Sequence, residues 1–171
     1  MAFTAKNQLE AAEQERVKLA ALAADPALKG QTTFSSNTGE AILRIAPEVV
    51  AGEIAAKRQD WNTAILHLDR AVRYEDALIY QEPPDWHAPV RQNLAAVLMA
   101  AGRADEAEAV YWEDLRKNPG NGWTLFGLMQ ALKAQGKTDE AAGIEARFRK
   151  AWKDADVSLE TANTVTRSSR R

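Results

Sequence analysis

The chain contains no cysteine, which removes a disulfide framework, a zinc ribbon and a thiol nucleophile at once. Its absence fits a cytoplasmic or a periplasmic setting equally. Histidine is nearly absent too, with only His67 and His87, and neither joins a His-x-x-x-His or Glu-x-x-His ligand spacing. His67 falls on an Ala-rich helix as a surface or seam residue. His87 stands beside Trp86 as a loop residue. No run approaches the ~20 apolar residues of a membrane span. The opening MAFTAKNQLEAAEQER does not read as a leader, because Lys6, Glu10 and Glu13 interrupt any apolar core. The expected location is therefore cytoplasmic as written, or periplasmic if this is a piece of a longer exported protein. Charge of one sign is also lacking: 22 basic against 24 acidic residues give −2, with no basic footprint for nucleic acid.

Catalytic raw material is sparse. Ser35, Ser36, Ser158, Ser168 and Ser169 fall in expected loops or the tail, and none sits in a Gly-x-Ser-x-Gly elbow. Glycines are scattered, without a phosphate cradle or dinucleotide fingerprint. Carboxylates such as Glu106, Glu108, Glu113, Asp114 and Glu140 decorate helices at intervals near Lys and Arg, the pattern of a solvated face. No cofactor, no metal and no enzymatic activity is expected. Arg167, Arg170 and Arg171 could touch an anionic surface, though three charges make a weak signal.

What is present is alanine and a period. The 171 residues suffice for one domain with a sizeable core, and the 46% hydrophobic share leans on alanine, the best helix former. Gly102 and Gly136 stand 34 residues apart, as do Ala107 and Ala141. Around them AAGRADEAEAVYWEDL and KAQGKTDEAAGIEARF each read as a helix end, a glycine corner and a new helix. An earlier copy, AGEIAAKRQDWNTAILHLDRAV, places Ala64 at the alanine and Gln59-Asp60 at the corner. It lies nine residues further away, the excess falling in ALIYQEPPDWH. A partial copy, AKNQLEAAEQERVKL, opens the chain with Asn7 at the corner, so the chain is expected to begin in mid-repeat.

These residues resemble the tetratricopeptide repeat (TPR) family. Residues 88–121 resemble it through Leu94, Ala95, Gly102, Ala107, Tyr111, Leu115 and Pro119. Residues 45–78 do so through Gly52, Ala64, Leu68, Ala71 and Val72, and residues 122–155 through Leu128, Gly136 and Ala141, with Glu145 replacing the usual aromatic. The segments EPPDW, EDLRKNPGNGW and LFGLMQALKAQGK also resemble the C-terminal part of longer bacterial proteins of this kind. The resemblance implies an all-α, right-handed superhelix of antiparallel helix pairs. It also implies a non-catalytic scaffold that binds a protein or peptide partner in a concave groove.

Seven helices are expected, near 7–24, 38–58, 61–75, 89–102, 104–117, 121–135 and 138–155. Three repeats would follow a half-repeat and connector over 1–37, and a flexible tail would occupy 156–171. Asn37 with Glu40 looks like a capping box for the second helix, and Pro47 should kink or split it. Small residues at 64, 107 and 141 mark seams where another helix passes close.

In the implied groove one stripe per first helix faces the partner. These stripes are Ala46, Val49, Glu53 and Ala56; Pro89, Gln92, Ala96 and Met99; and Trp123, Phe126, Gln130 and Lys133. The partner-binding set is Val49, Glu53, Gln92, Met99, Trp123, Phe126, Gln130 and Lys133. The plainer alternative is that Trp123 and Phe126 pack against the preceding helix. Some members of the family clamp a C-terminal carboxylate with Lys, Asn and Arg. Only Asn93 matches such a clamp, since Val49, Glu53, Trp123 and Gly127 occupy its other positions. The insertion offers a second contact loop with Tyr80, Trp86 and Arg91, Arg91 being placed to pair with Glu82 or Asp85. Two further roles stay open. The N-terminal half-repeat, with Leu9, Ala12, Val17, Leu19 and Ala20 in need of cover, could support self-association. The chain could also be the helical end of a larger protein whose catalytic part lies elsewhere.

Overall fold

Helix follows helix along the chain, several of them stopped by a residue that the next turn cannot use. The structure, a computed structural model, describes residues 2–32 and 36–159. Ser35 and segment 160–171, the greater part of the expected flexible tail, lie outside the described residues. The helices are α1 (Ala2–Ala5), α2 (Leu9–Ala23), α3 (Gly39–Leu43), α4 (Ile45–Lys57), α5 (Trp61–Asp76), α6 (Val90–Ala100), α7 (Ala104–Lys117), α8 (Gly122–Ala134) and α9 (Thr138–Ala151). A 3-10 turn at Pro26–Leu28 sits in the first connector. Among the described residues there is no strand, only an isolated bridge between Thr32 and Thr38. The fold is all-α, with helices packed in adjacent pairs as a helical repeat.

The repeat shows most sharply in its corners. Asn7, Gln59, Gly102 and Gly136 all have left-handed backbone, with φ of 58°, 60°, 77° and 74°. After each, the next N–H donates five residues back: Gln8 to Phe3, Asp60 to Ala55, Arg103 to Leu98 and Lys137 to Leu132, at 2.9–3.0 Å. This is the Schellman closure, which satisfies the orphan carbonyls of a helix end. The same four residues then cap the following helix, and their carbonyls accept the N–H of Ala12, Ala64, Ala107 and Ala141. All four alanines are at most 1% exposed. The corner recurs four times, including at the two sites where no glycine marks it.

Pro47 splits the second expected helix. It lacks the N–H that would bind Leu43, so α3 ends at Leu43 and α4 restarts at Ile45, leaving Pro47 in the tolerant first turn. Asn37 is not the cap. Thr38 is, its hydroxyl accepting the Ala41 N–H at 3.1 Å. Asp60 and Asn121 cap α5 and α8 in the same way.

The chain divides into two compact units, Met1–Val90 and Arg91–Arg171. In the first, α2 packs on α4 and α4 on α5. The α2 face expected to need cover largely has it, because Ala12 and Leu19 meet Val50 and Ile54 of α4. Val17 points away and stays exposed. Gly52 lets the α4 backbone reach α5: a Cβ there would fall 2.6 Å from Leu68 Cγ. In the second unit α7 packs on α8 and α8 on α9. Tyr111 of α7 lies on the α8 backbone at Gly127, where a Cβ would come within 2.3 Å of its ring.

Candidate interaction surfaces

Two surfaces carry the residues singled out by the sequence, one on the first helices and one in the insertion. On α4 the groove stripe is closed. Val49 is 2% and Glu53 3% exposed, so neither can meet a partner. Beside Glu53 stands α1, a helix too short for the sequence pattern to reveal. It packs against α4, and its Thr4 lies beside the Glu53 carboxyl. Burial pushes the Glu53 carboxyl above the usual carboxylate range, opposed by the nearby Lys57 ammonium.

In the second unit the stripe stays partly open. Gln92 of α6 donates through Nε2 to Thr124 Oγ1 of α8 at 3.0 Å, so these two first helices are neighbours. Met99 is half-buried, Gln130 and Lys133 are exposed, and Trp123 is 37% exposed. Phe126 is buried and drops out. Its ring meets Phe148 of the following helix α9 at 5.4 Å. Trp123 likewise meets Trp152 edge to face at 5.6 Å, and Phe148 stacks on Trp152 at 5.8 Å. Trp152 lies over Gly122 and donates its indole N–H to the Val157 carbonyl at 2.8 Å, hooking the chain back over the start of α8. At the other end Lys133 pairs with Glu145 at 3.2 Å, and Arg149 holds the same carboxylate.

Beneath this stripe lies a polar network that the charge pattern does not reveal. Asp114, expected on a solvated face, is buried. It accepts from the Thr124 hydroxyl and from Asn118 Nδ2 at 3.1 Å, and Thr124 in turn accepts from Gln92. Asp114 lies seven residues after Ala107, one turn past Tyr111, so helical spacing alone places it on the covered face.

The insertion is pinned. Asn37, itself buried, accepts the Ile79 N–H at 2.7 Å and donates to the Ile79 carbonyl at 2.8 Å and to Asp85 Oδ2 at 2.7 Å. The peptide bond between Glu82 and Pro83 is cis. Tyr80 is exposed, and its hydroxyl donates to the Glu82 carboxylate, which holds the phenol above its usual range. Trp86 is half-buried beside His87 with ring centroids 6.1 Å apart, and Arg91 is half-buried at the start of α6. Asp85 and Glu82 are thus engaged by Asn37 and Tyr80.

His67 Nδ1 lies 2.6 Å from Glu48, which also meets Arg70 at 3.3 Å. Among the described residues no group of three or more His, Cys, Asp or Glu side chains is placed to hold a metal ion. No helix there is long and apolar enough to cross a membrane. Comparison of the chain with protein-family models, with curated proteins and with solved structures finds no match.

Proposed function

We propose that the chain is a non-catalytic scaffold of the tetratricopeptide type that binds an extended segment of a partner protein along α6 and α8. The observation that carries this reading is the fourfold corner, with its left-handed residue, back-bonded N–H and buried alanine five residues on. Helix pairs of this kind cannot bury their apolar faces alone and stack their neighbours to do so, which leaves the first helices side by side. The hydrogen bond from Gln92 to Thr124 supports that arrangement for α6 and α8.

The open side chains indicate the ligand's chemistry. Trp123 offers an aromatic face steadied by Trp152, Met99 adds apolar contact, and Gln130 offers an amide. Gln92 keeps its carbonyl oxygen as an acceptor. Lys133 is neutralised by Glu145. This set suits an uncharged stretch of backbone with one large apolar side chain, and not a terminal carboxylate.

A library of random twelve-residue peptides displayed on phage tests this. Selected peptides should lose about ten- to thirty-fold in affinity on Trp123→Ala, the loss usual for a central aromatic anchor. Gln130→Ala, which leaves the Trp152 contact intact, should cost several-fold. Peptides that bind both variants as well as the native chain would remove the groove assignment. Self-association is a second reading. Phe3, Val17 and Leu22 expose large apolar surface within α1 and α2. Sedimentation showing a monomer at every concentration would discard it.

A further inference from the structure

We infer, granted the groove on α6 and α8, that the buried carboxylate of Asp114 fixes Gln92 as a one-way reader, so that the bound segment must offer an N–H donor at that point. Asp114, Thr124 and Gln92 all belong to the second unit.

The direction follows from counting protons. Asp114 is 1% and Thr124 0% exposed, so neither can turn to water for a partner. Asp114 accepts at both carboxylate oxygens, from Asn118 Nδ2 at Oδ1 and from the Thr124 hydroxyl at Oδ2. A threonine hydroxyl has one proton and two lone pairs. That proton is given to Asp114, so toward Gln92 the hydroxyl can only accept. Gln92 must then turn its NH2 inward, and Nε2 donates to Thr124 Oγ1 at 3.0 Å. An amide that points its nitrogen inward points its carbonyl oxygen the other way. Gln92 is half-buried at the third position of α6, and among the described residues no group donates to its Oε1.

The line of bonds also strengthens that oxygen. Donors in a row that ends on a carboxylate polarise one another, so Gln92 Oε1 accepts more strongly than a free amide does. A backbone N–H of an extended segment fits it. An ionised carboxylate, a phosphate or the nitrogen of a proline brings no proton there. Asp114 touches no ligand in this scheme and acts as a positioning residue.

Two measurements test the relay. In the free chain the Gln92 side-chain NH2 should exchange with solvent several-fold more slowly in the native protein and in Thr124→Ser than in Thr124→Val. Equal exchange in all three would show that Thr124 does not hold the amide and would overturn the inference. In the second measurement, displayed peptides whose binding falls on Trp123→Ala are remade with each peptide N–H replaced in turn by an ester oxygen. One position should lose about three- to ten-fold in affinity for the native chain. The same ester should lose nothing against Gln92→Met, which keeps the length of the side chain without an amide oxygen. Gln92→Met leaves the bond from Thr124 to Asp114 in place, so it reports on the subsite even where Thr124→Val unfolds. In a folded Thr124→Val chain the coupling should vanish, and Thr124→Ser should restore it. A network that merely fastened α7 to α8 would shift every peptide alike, with no single position coupled. Trp123-dependent peptides without an ester position coupled to Gln92, or a coupling that survives Thr124→Val, would overturn the inference and leave the groove standing. Peptides indifferent to Trp123→Ala would remove the groove and the subsite together.

Discussion

Asn37 is the residue through which the insertion is held, and replacing it is the sharpest test of that reasoning. Its amide makes two hydrogen bonds to the Ile79 backbone and one to the Asp85 carboxylate. A neutral hydrogen bond contributes about 1 kcal/mol net, and one to a charged group about 1.5–3 kcal/mol. Asn37→Ala should therefore lower the free energy of opening the loop by at least about 2 kcal/mol, without unfolding α4 or α5. Hydrogen exchange at the Ile79 amide reads this directly, with an expected acceleration of about thirty-fold. Asn37→Asp is the informative partner. It still accepts from the Ile79 N–H, but both donated bonds vanish and a second carboxylate lands beside Asp85. Two adjacent carboxylates raise the pKa of one of them in the folded state. Stability is then present at low pH and lost as pH rises through that raised value. The Asp variant should open more readily than the Ala variant at pH 7 and recover below about pH 5. Unchanged Ile79 exchange in Asn37→Ala, or an Asp variant that outperforms it at pH 7, would refute the clamp.

Gln59 is exposed at φ 60°, where a side chain costs about 1–2 kcal/mol, so Gln59→Gly should gain about 0.5–1 kcal/mol after the larger entropy of an unfolded glycine. Gln59→Ala should gain nothing, and equal melting temperatures for the two variants would contradict a left-handed corner there. Glu53 has its folded carboxyl pKa raised by burial, so ionisation works against folding, and stability falls as pH climbs from below the unfolded value through the folded one. Glu53→Gln should accordingly stabilise the chain against urea at pH 7 and much less at pH 4, and the reverse order would show that the ionised form is favoured.

The helices were legible because their stops are local. Gly102, Gly136, Pro119 and the paired prolines of the insertion act through backbone geometry that one residue type carries by itself. Even the Asn7 and Gln59 corners could be found by register with the glycines, although nothing in Gln59 itself favours φ above zero. What escaped depends on distant partners. Asn37 followed by Glu40 imitates a cap, and its true partner, Ile79, lies 42 residues on. Periodicity put Val49 and Glu53 on one face but could not tell that this face would be buried, with Thr4 of α1 beside Glu53. Asp114 is different: its spacing from Ala107 and Tyr111 was sufficient, and the surrounding charges obscured it.

The four corner alanines allow the repeat to be questioned as a repeat. If each corner were packed alike, replacing its alanine with leucine would produce one common penalty of about 1–3 kcal/mol from overpacking. The surroundings differ in one respect. Seven residues before the corner, the first helix carries Gly52 in the Ala64 pair but Met129 in the Ala141 pair. At Gly52 the helices approach until the Ala64 carbonyl lies 3.3 Å from where a Cβ would stand. Backbones that close have nowhere to move for a leucine. A pair spaced by a methionine can yield, because that side chain has three torsions with which to repack. Ala64→Leu should thus fall at or beyond the top of the range, and Ala141→Leu about 1 kcal/mol lower. Urea midpoints at unchanged m-value measure both. A larger loss at Ala141 would mean that the glycine of α4 does not set the spacing of its pair, and that the residue opposite the alanine is incidental to the repeat.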